Sequence, residues 1–165
     1  MNIDEIISTI EEAFDGVSQP QDITLHVAEA HDNYDYEHDE QHRQKDFIGR
    51  WQDIPIEHIE KCQAALSFVD KIGMQFYLPA YMIWYLKNFG TSAILTDHTL
   101  YSLHYHAKDN QLAEYHKEQF SLFTAEQLRA CALFVKFCAN DPTNFTDTYL
   151  AQKSYERYWA NFEKI

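Results

Sequence analysis

The chain has 165 residues, of which 45% are hydrophobic and 15% aromatic, and its formal net charge is −13. That length fits one domain large enough to bury a core without staples, and the composition excludes a disordered chain. The charge excludes nucleic acid and anionic membrane surfaces, which both demand basic residues; it aids solubility and suits a basic protein partner.

Glycine and proline number four each, so turns are few and a single all-α domain over 1–165 is expected. Ile3, Ile6, Ile7, Ile10 and Phe14 share one face, which predicts a helix over 2–14. Asn2 with Glu5 fits a capping box, and Asp15-Gly16 ends the helix. The first residues are acidic and no apolar run follows, so no signal peptide is expected. Cys62, Cys131 and Cys138 are odd in number, lack a Cys-x-x-Cys pair and read as small core residues. A cytoplasmic location follows from both observations.

Residues 21–34 are ambiguous. Ile23, Leu25 and Val27 alternate like a strand, but a lone strand has no mate, so a short helix or extended link is expected. The polar stretch from Tyr34 to Lys45 predicts a solvated helix ending near Phe47-Ile48-Gly49. Trp51, Ile54 and Pro55 then make a compact apolar turn. Over 56–69 a helix is expected, with Ile56, Ile59, Cys62, Leu66 and Val69 as its buried stripe.

The run 71–86 is the most apolar of the chain, and from Phe76 to Leu86 nothing carries a formal charge. A helix apolar on every side belongs in a core or a membrane, and spanning a bilayer takes about 20 apolar residues. A buried central helix over 79–89 is therefore expected. Pro79 would sit in its first turn, with a bend before it and a stop at Asn88-Phe89-Gly90. Between 91 and 123, Leu100, Tyr101 and Leu103 suit a short helix, while Tyr101, Leu103 and Tyr105 suit a strand equally well. Leu112 to Phe120 predicts a short helix. Thr124 with Gln127 is a second capping box. It opens a helix to about Ala139, expected to be second only to the central one in burial. After Asn140-Asp141-Pro142, a last helix over 145–162 should turn Tyr149, Tyr155, Tyr158, Trp159 and Phe162 inward or half inward. The architecture expected is an irregular bundle of six or seven helices around the buried one.

Three short motifs, Trp51-Gln52-Asp53-Ile54, Tyr77-Leu78-Pro79-Ala80-Tyr81 and Phe123-Thr124-Ala125-Glu126-Gln127, resemble the pattern of a family of small bacterial proteins of unknown function. The resemblance spans residues 45–139. Met74-Gln75 stands where that pattern has Phe-Arg, so any shared site built on the arginine is in doubt here. The resemblance implies a helical fold and a bacterial origin, and brings no activity with it.

Few residues form a chemical constellation. His38 and His42 have the i, i+4 spacing of the His-Glu-x-x-His zinc motif. Asp39 replaces the glutamate, however, and no third ligand is identifiable. The plain alternative is a solvent-facing helix. Asp39-x-x-His42 also matches one step of a di-iron bundle, but no second copy exists. His98, His104, His106 and His116 are irregularly spaced and read as individually exposed or hydrogen-bonded. No Gly-x-Ser-x-Gly turn or Gly-rich phosphate loop is present. No cofactor is expected, and enzymatic activity is the less favoured reading. Tyr77, Tyr81, Trp84 and Tyr85 would either line a ligand pocket or pack as core, the commoner fate of aromatic stripes. Two functions follow. One is an acidic interaction protein of the immunity or antitoxin type, meeting a basic partner through Asp35, Glu37, Asp39 and Glu40. The other is a metal-dependent enzyme or small-molecule binder using His38 and His42 or the tyrosine strip.

Overall fold

In a computed structural model, which describes residues 1–91, 93–106, 108–143 and 145–164 (93–96 by their backbone alone), the apolar run is one helix. This helix, Lys71–Lys87, starts well ahead of Pro79, with the Asp70 carboxylate accepting from Gly73 N at 2.9 Å as its cap. Pro79 lies mid-helix rather than in the first turn. A proline there costs about 3 kcal/mol through its missing N–H and its crowding of the preceding turn. The upstream half buries Met74, Phe76, Tyr77 and Leu78. At roughly 1.5–3 kcal/mol for each large apolar side chain, that burial outweighs the proline. The run is buried as expected, but the helix starts at Lys71, continues through Pro79 where a bend before the proline was expected, and ends at Lys87 rather than 89.

The described residues hold nine α-helices, three 3-10 turns and no strand. In chain order the helices are α1 (Ile3–Ala13), α2 (Leu25–Asp32), α3 (Asp39–Arg43), α4 (Ile56–Lys61), α5 (Lys71–Lys87), α6 (Ala93–Ser102), α7 (Asn110–Gln119), α8 (Ala125–Ala139) and α9 (Thr148–Arg157). The all-α single core is the one the composition calls for, with more and shorter pieces than six or seven. Helix α5 is packed by α1, α4, α6 and α7 and by the turns Trp51–Asp53 and Ala65–Ser67. Helix α8 gathers α1, α9 and the final turn Trp159–Phe162. Tyr85 of α5 meets Phe134 of α8 edge to face at 5.0 Å.

Both expected capping boxes form, Asn2 with Glu5 and Thr124 with Gln127. Residues 21–34 resolve to α2, and 91–123 to α6 and α7, so neither strand alternative survives. Three other expectations are corrected. The helix expected over 56–69 breaks at Cys62, whose carbonyl accepts from the Tyr81 hydroxyl; Ile56, expected in the buried stripe, is exposed. The polar stretch from Tyr34 to Lys45 is helical only over Asp39–Arg43. The last helix stops at Arg157, where the Trp159 indole reaches across to the Leu103 carbonyl at 2.6 Å; Tyr149 faces solvent.

One buried side chain joins three helices. The Gln127 Oε1 accepts from Thr124 N at 3.1 Å and from Gln75 Nε2 at 2.8 Å, while its Nε2 donates to the Ala13 carbonyl at 3.1 Å. Gln127→Leu leaves these groups without partners in the core. It should destabilise the fold by about 2–4 kcal/mol, at about 1–3 kcal/mol per orphaned buried group partly relieved by relaxation; urea unfolding measures it. A Cβ at Gly73 would stand 2.8 Å from Val69 Cβ and 3.4 Å from the Ile23 carbonyl oxygen. Gly73→Ala should therefore lower stability by about 1–2 kcal/mol, since overpacking outweighs the gain of about 1 kcal/mol in helix propensity.

Candidate functional site

Helix α2 ends in a Schellman turn: Asp35 N donates to Ala30 O at 2.9 Å and Tyr34 N to His31 O at 3.0 Å. The residue that must be left-handed in this turn is normally glycine. Here it is Tyr34, at φ +62°, the only non-glycine residue with positive φ among those described. A left-handed bulky residue costs roughly 1–2 kcal/mol. The turn throws the Tyr34 ring into solvent, where it is 86% exposed.

Beyond it the chain knots upon itself. Asp35 accepts from His38 Nδ1 on one oxygen and His42 Nε2 on the other, each at 2.8 Å. The His42 and His38 hydrogen bonds hold the Asp35 carboxyl far below the usual carboxylate range. Asp39 pairs with His31 Nε2 at 2.8 Å, and the Tyr36 ring lies over His31 at 4.7 Å. Glu40 pairs with Arg43, which also donates to the Asp22 carbonyl. Of the four carboxylates singled out by sequence, Asp35, Asp39 and Glu40 are thus engaged inside the segment. Glu37 is exposed and has no ion pair among the described residues.

His38 and His42 do come together, through Asp35 rather than along a helix, since His38 lies outside the five-residue α3. Among the described residues no group of three His, Cys, Asp or Glu side chains is placed to hold a metal ion. The tyrosine strip packs as core. The Tyr77 hydroxyl accepts from Leu25 N at 3.1 Å at the start of α2, the Tyr81 hydroxyl donates to Cys62 O, and Tyr85 packs between Phe89 and Phe134. Trp84 alone of the four lines a described cavity, of about 330 Å³, with Trp51 and Ile59. Its indole donates to Glu60 at 3.2 Å.

The cysteines are free and buried, and burial pushes the Cys62 and Cys138 thiols up to about 12. Such thiols are not nucleophiles at neutral pH. Of the other histidines, His104, His106 and His116 gather beside α7, while His98 sits on α6.

Two features were missed in reading the sequence. Residues 1–60 hold sixteen carboxylates against three basic side chains, so they carry the whole net charge of −13 and the remaining 105 residues are neutral. A count by halves would have found this. The same acidic stretch also exposes large apolar side chains within one short segment: Tyr34, Tyr36 at 59% and Ile48 at 87%. Their exposure has no sequence signal, because it depends on where the chain turns.

The chain belongs to a family of unknown function, DUF6714, whose pattern it matches over residues 2–163. No curated protein and no solved structure matches it. No helix among the described residues is long and apolar enough to cross a membrane.

His116 is 4% exposed and lies among Tyr105, Phe120, Tyr158 and Trp159. Burial lowers its pKa to about 4. The unfolded chain takes up this proton as pH falls through about 6.5, whereas the folded protein resists until about 4. Stability is therefore lost across that window, by up to about 3 kcal/mol, with His26 and His104 acting in the same direction. His116→Phe should flatten that slope and raise stability at pH 7 by about 1 kcal/mol, since it removes a buried polar ring. Urea unfolding at pH 7 and pH 4.5 checks both.

Proposed function

We propose that this is a non-enzymatic interaction protein that binds a basic protein partner, in the manner of an immunity protein or antitoxin. What carries the reading is the coincidence of charge and exposed apolar surface. The first 60 residues, which hold all the net charge, also present Tyr34, Tyr36 and Ile48 to solvent within fifteen residues. Large aromatic anchors supply affinity at interfaces, and a surrounding field of one sign speeds encounter with the opposite sign.

Glu37 contacts the partner's basic side chains directly. Asp35, Asp39 and Glu40 act through the field and by holding the segment in shape. Strain at Tyr34 supports the same reading, because backbone strain persists where a function keeps it. The protein is read as bacterial and cytoplasmic, on its three free buried cysteines and on the resemblance of the Tyr77–Tyr81 motif.

The test is capture from the native host at about 50 mM and about 500 mM salt, where screening lengths differ several-fold. A basic partner held at low salt and released at high salt is expected. Tyr34→Ala and Ile48→Ser should each weaken it by about tenfold or more, and Glu37→Gln should slow association. Tyr34→Gly should stabilise the fold by about 1 kcal/mol while weakening the partner. A partner indifferent to salt and to all of these substitutions sinks the proposal.

A further inference from the structure

A second cluster of titratable groups lies where α4 meets the start of α2. His26, at 7% exposure, and half-buried His58 on α4 share one hydrogen between Nε2 and Nδ1, 2.9 Å apart, with their rings edge to face at 4.9 Å. Burial keeps the Cys62 thiol protonated, and its sulfur lies 3.7 Å from His26 Nδ1. The thiol therefore donates to Nδ1, and the His26 Nε2 hydrogen points at His58 Nδ1. The other charged groups around His26 are Asp46, whose carboxylate accepts from His26 N at 3.0 Å, Lys45 and Lys61. Glu29 lies on the same helix and acts on Cys62. From α5 come Tyr77 and Tyr81, whose hydroxyls burial keeps protonated.

Helix α4 has little else to hold it. Of its six residues only Ile59 is buried. Among the described residues its one other side-chain tie to a neighbouring helix is the Glu60 carboxylate, which accepts from the Trp84 indole at 3.2 Å. Ile59 and Trp84 line a common cavity with Ala80 and Ile83 of α5.

An N–H···N bond between two imidazoles has room for one hydrogen. The closed pair can take up one proton, at His26 Nδ1, which breaks the thiol bond. A second would set two N–H groups and two positive charges against each other, so the pair titrates in separate steps. Burial already lowers the His26 pKa; Asp46 opposes this and His58 reinforces it. We propose that the pair is a proton-operated latch: the shared hydrogen holds α4 to α2 at neutral pH, and charging both rings frees α4 and uncovers Ile59 and Trp84. The open form binds one proton more than the closed form. The opening constant therefore grows by about tenfold per pH unit once pH falls below about 6.5, where a histidine in water becomes charged. The latch belongs to α2 and α4 and does not depend on the acidic segment having a partner.

Two measurements on the whole chain test it. Nitrogen NMR at pH 8 should show a scalar coupling between His26 Nε2 and His58 Nδ1 across their shared hydrogen. Hydrogen-exchange protection of the Glu60, Lys61 and Cys62 amides, the last of which donates to His58 O at 3.0 Å, should fall by about tenfold or more between pH 7.5 and pH 5. The fall should persist in His116→Phe, which removes the buried ring behind the wider acid sensitivity. It should shrink to less than about twofold in His58→Asn, whose side chain can bond His26 but never becomes charged. Absence of the coupling at pH 8 overturns the proposal. So does a fall that vanishes in His116→Phe, or one that is unchanged in His58→Asn.

Discussion

The structure depends on one helix that has no polar side to give to water. From Phe76 to Leu86 every residue but Ala80 is buried, so α5 must be covered over its whole circumference. No single neighbour can cover a full cylinder, and the fold is therefore a ring of short helices and turns rather than a regular four-helix bundle. Burial also places demands on the tyrosine hydroxyls. Tyr77 meets its need at the first N–H of α2, and Tyr81 at the Cys62 carbonyl. Those two bonds fall where α2 starts and where the 56–69 stretch breaks. The core thus sets the boundaries of elements at the surface.

The same logic explains the motif residues without invoking chemistry. Gln127, the last residue of the second capping box, does more than close its own helix. It accepts from Gln75 on α5 and donates to the end of α1. Gln75 donates again to the Leu122 carbonyl. Position 75, where the resemblance places an arginine, is thus a donor position at a helix junction, and a glutamine fills it.

Two positions stand in local conflict with the fold. Tyr34 takes a left-handed conformation that glycine would adopt without strain, and His116 keeps both ring nitrogens buried and unbonded. Each lowers stability, and each has an easy repair by substitution. Proteins tolerate such local conflicts chiefly where binding requires them. One conflict lies in the acidic segment and the other beside α7, so the two are separate matters in this chain.

Much of this was legible in the residues themselves. The uncharged run around Pro79, the scarcity of glycine and the two capping boxes fix an all-α domain with a buried central helix, because burial and capping are local bargains between neighbouring side chains and backbone. The proximity of His38 and His42 was legible too. Their binding to a single Asp35 was not, because the chain turns at Tyr34 before reaching them. Helix limits at Cys62 and Arg157 were hidden for the same kind of reason: each lies beside a contact with a partner far away in the chain, Tyr81 or Leu103. The cavity beside α7 was hidden most completely. It lies where four elements, α5, α6, α7 and the turn Ala65–Ser67, fail to close on one another, and no spacing of residues along a chain records the space left between helices.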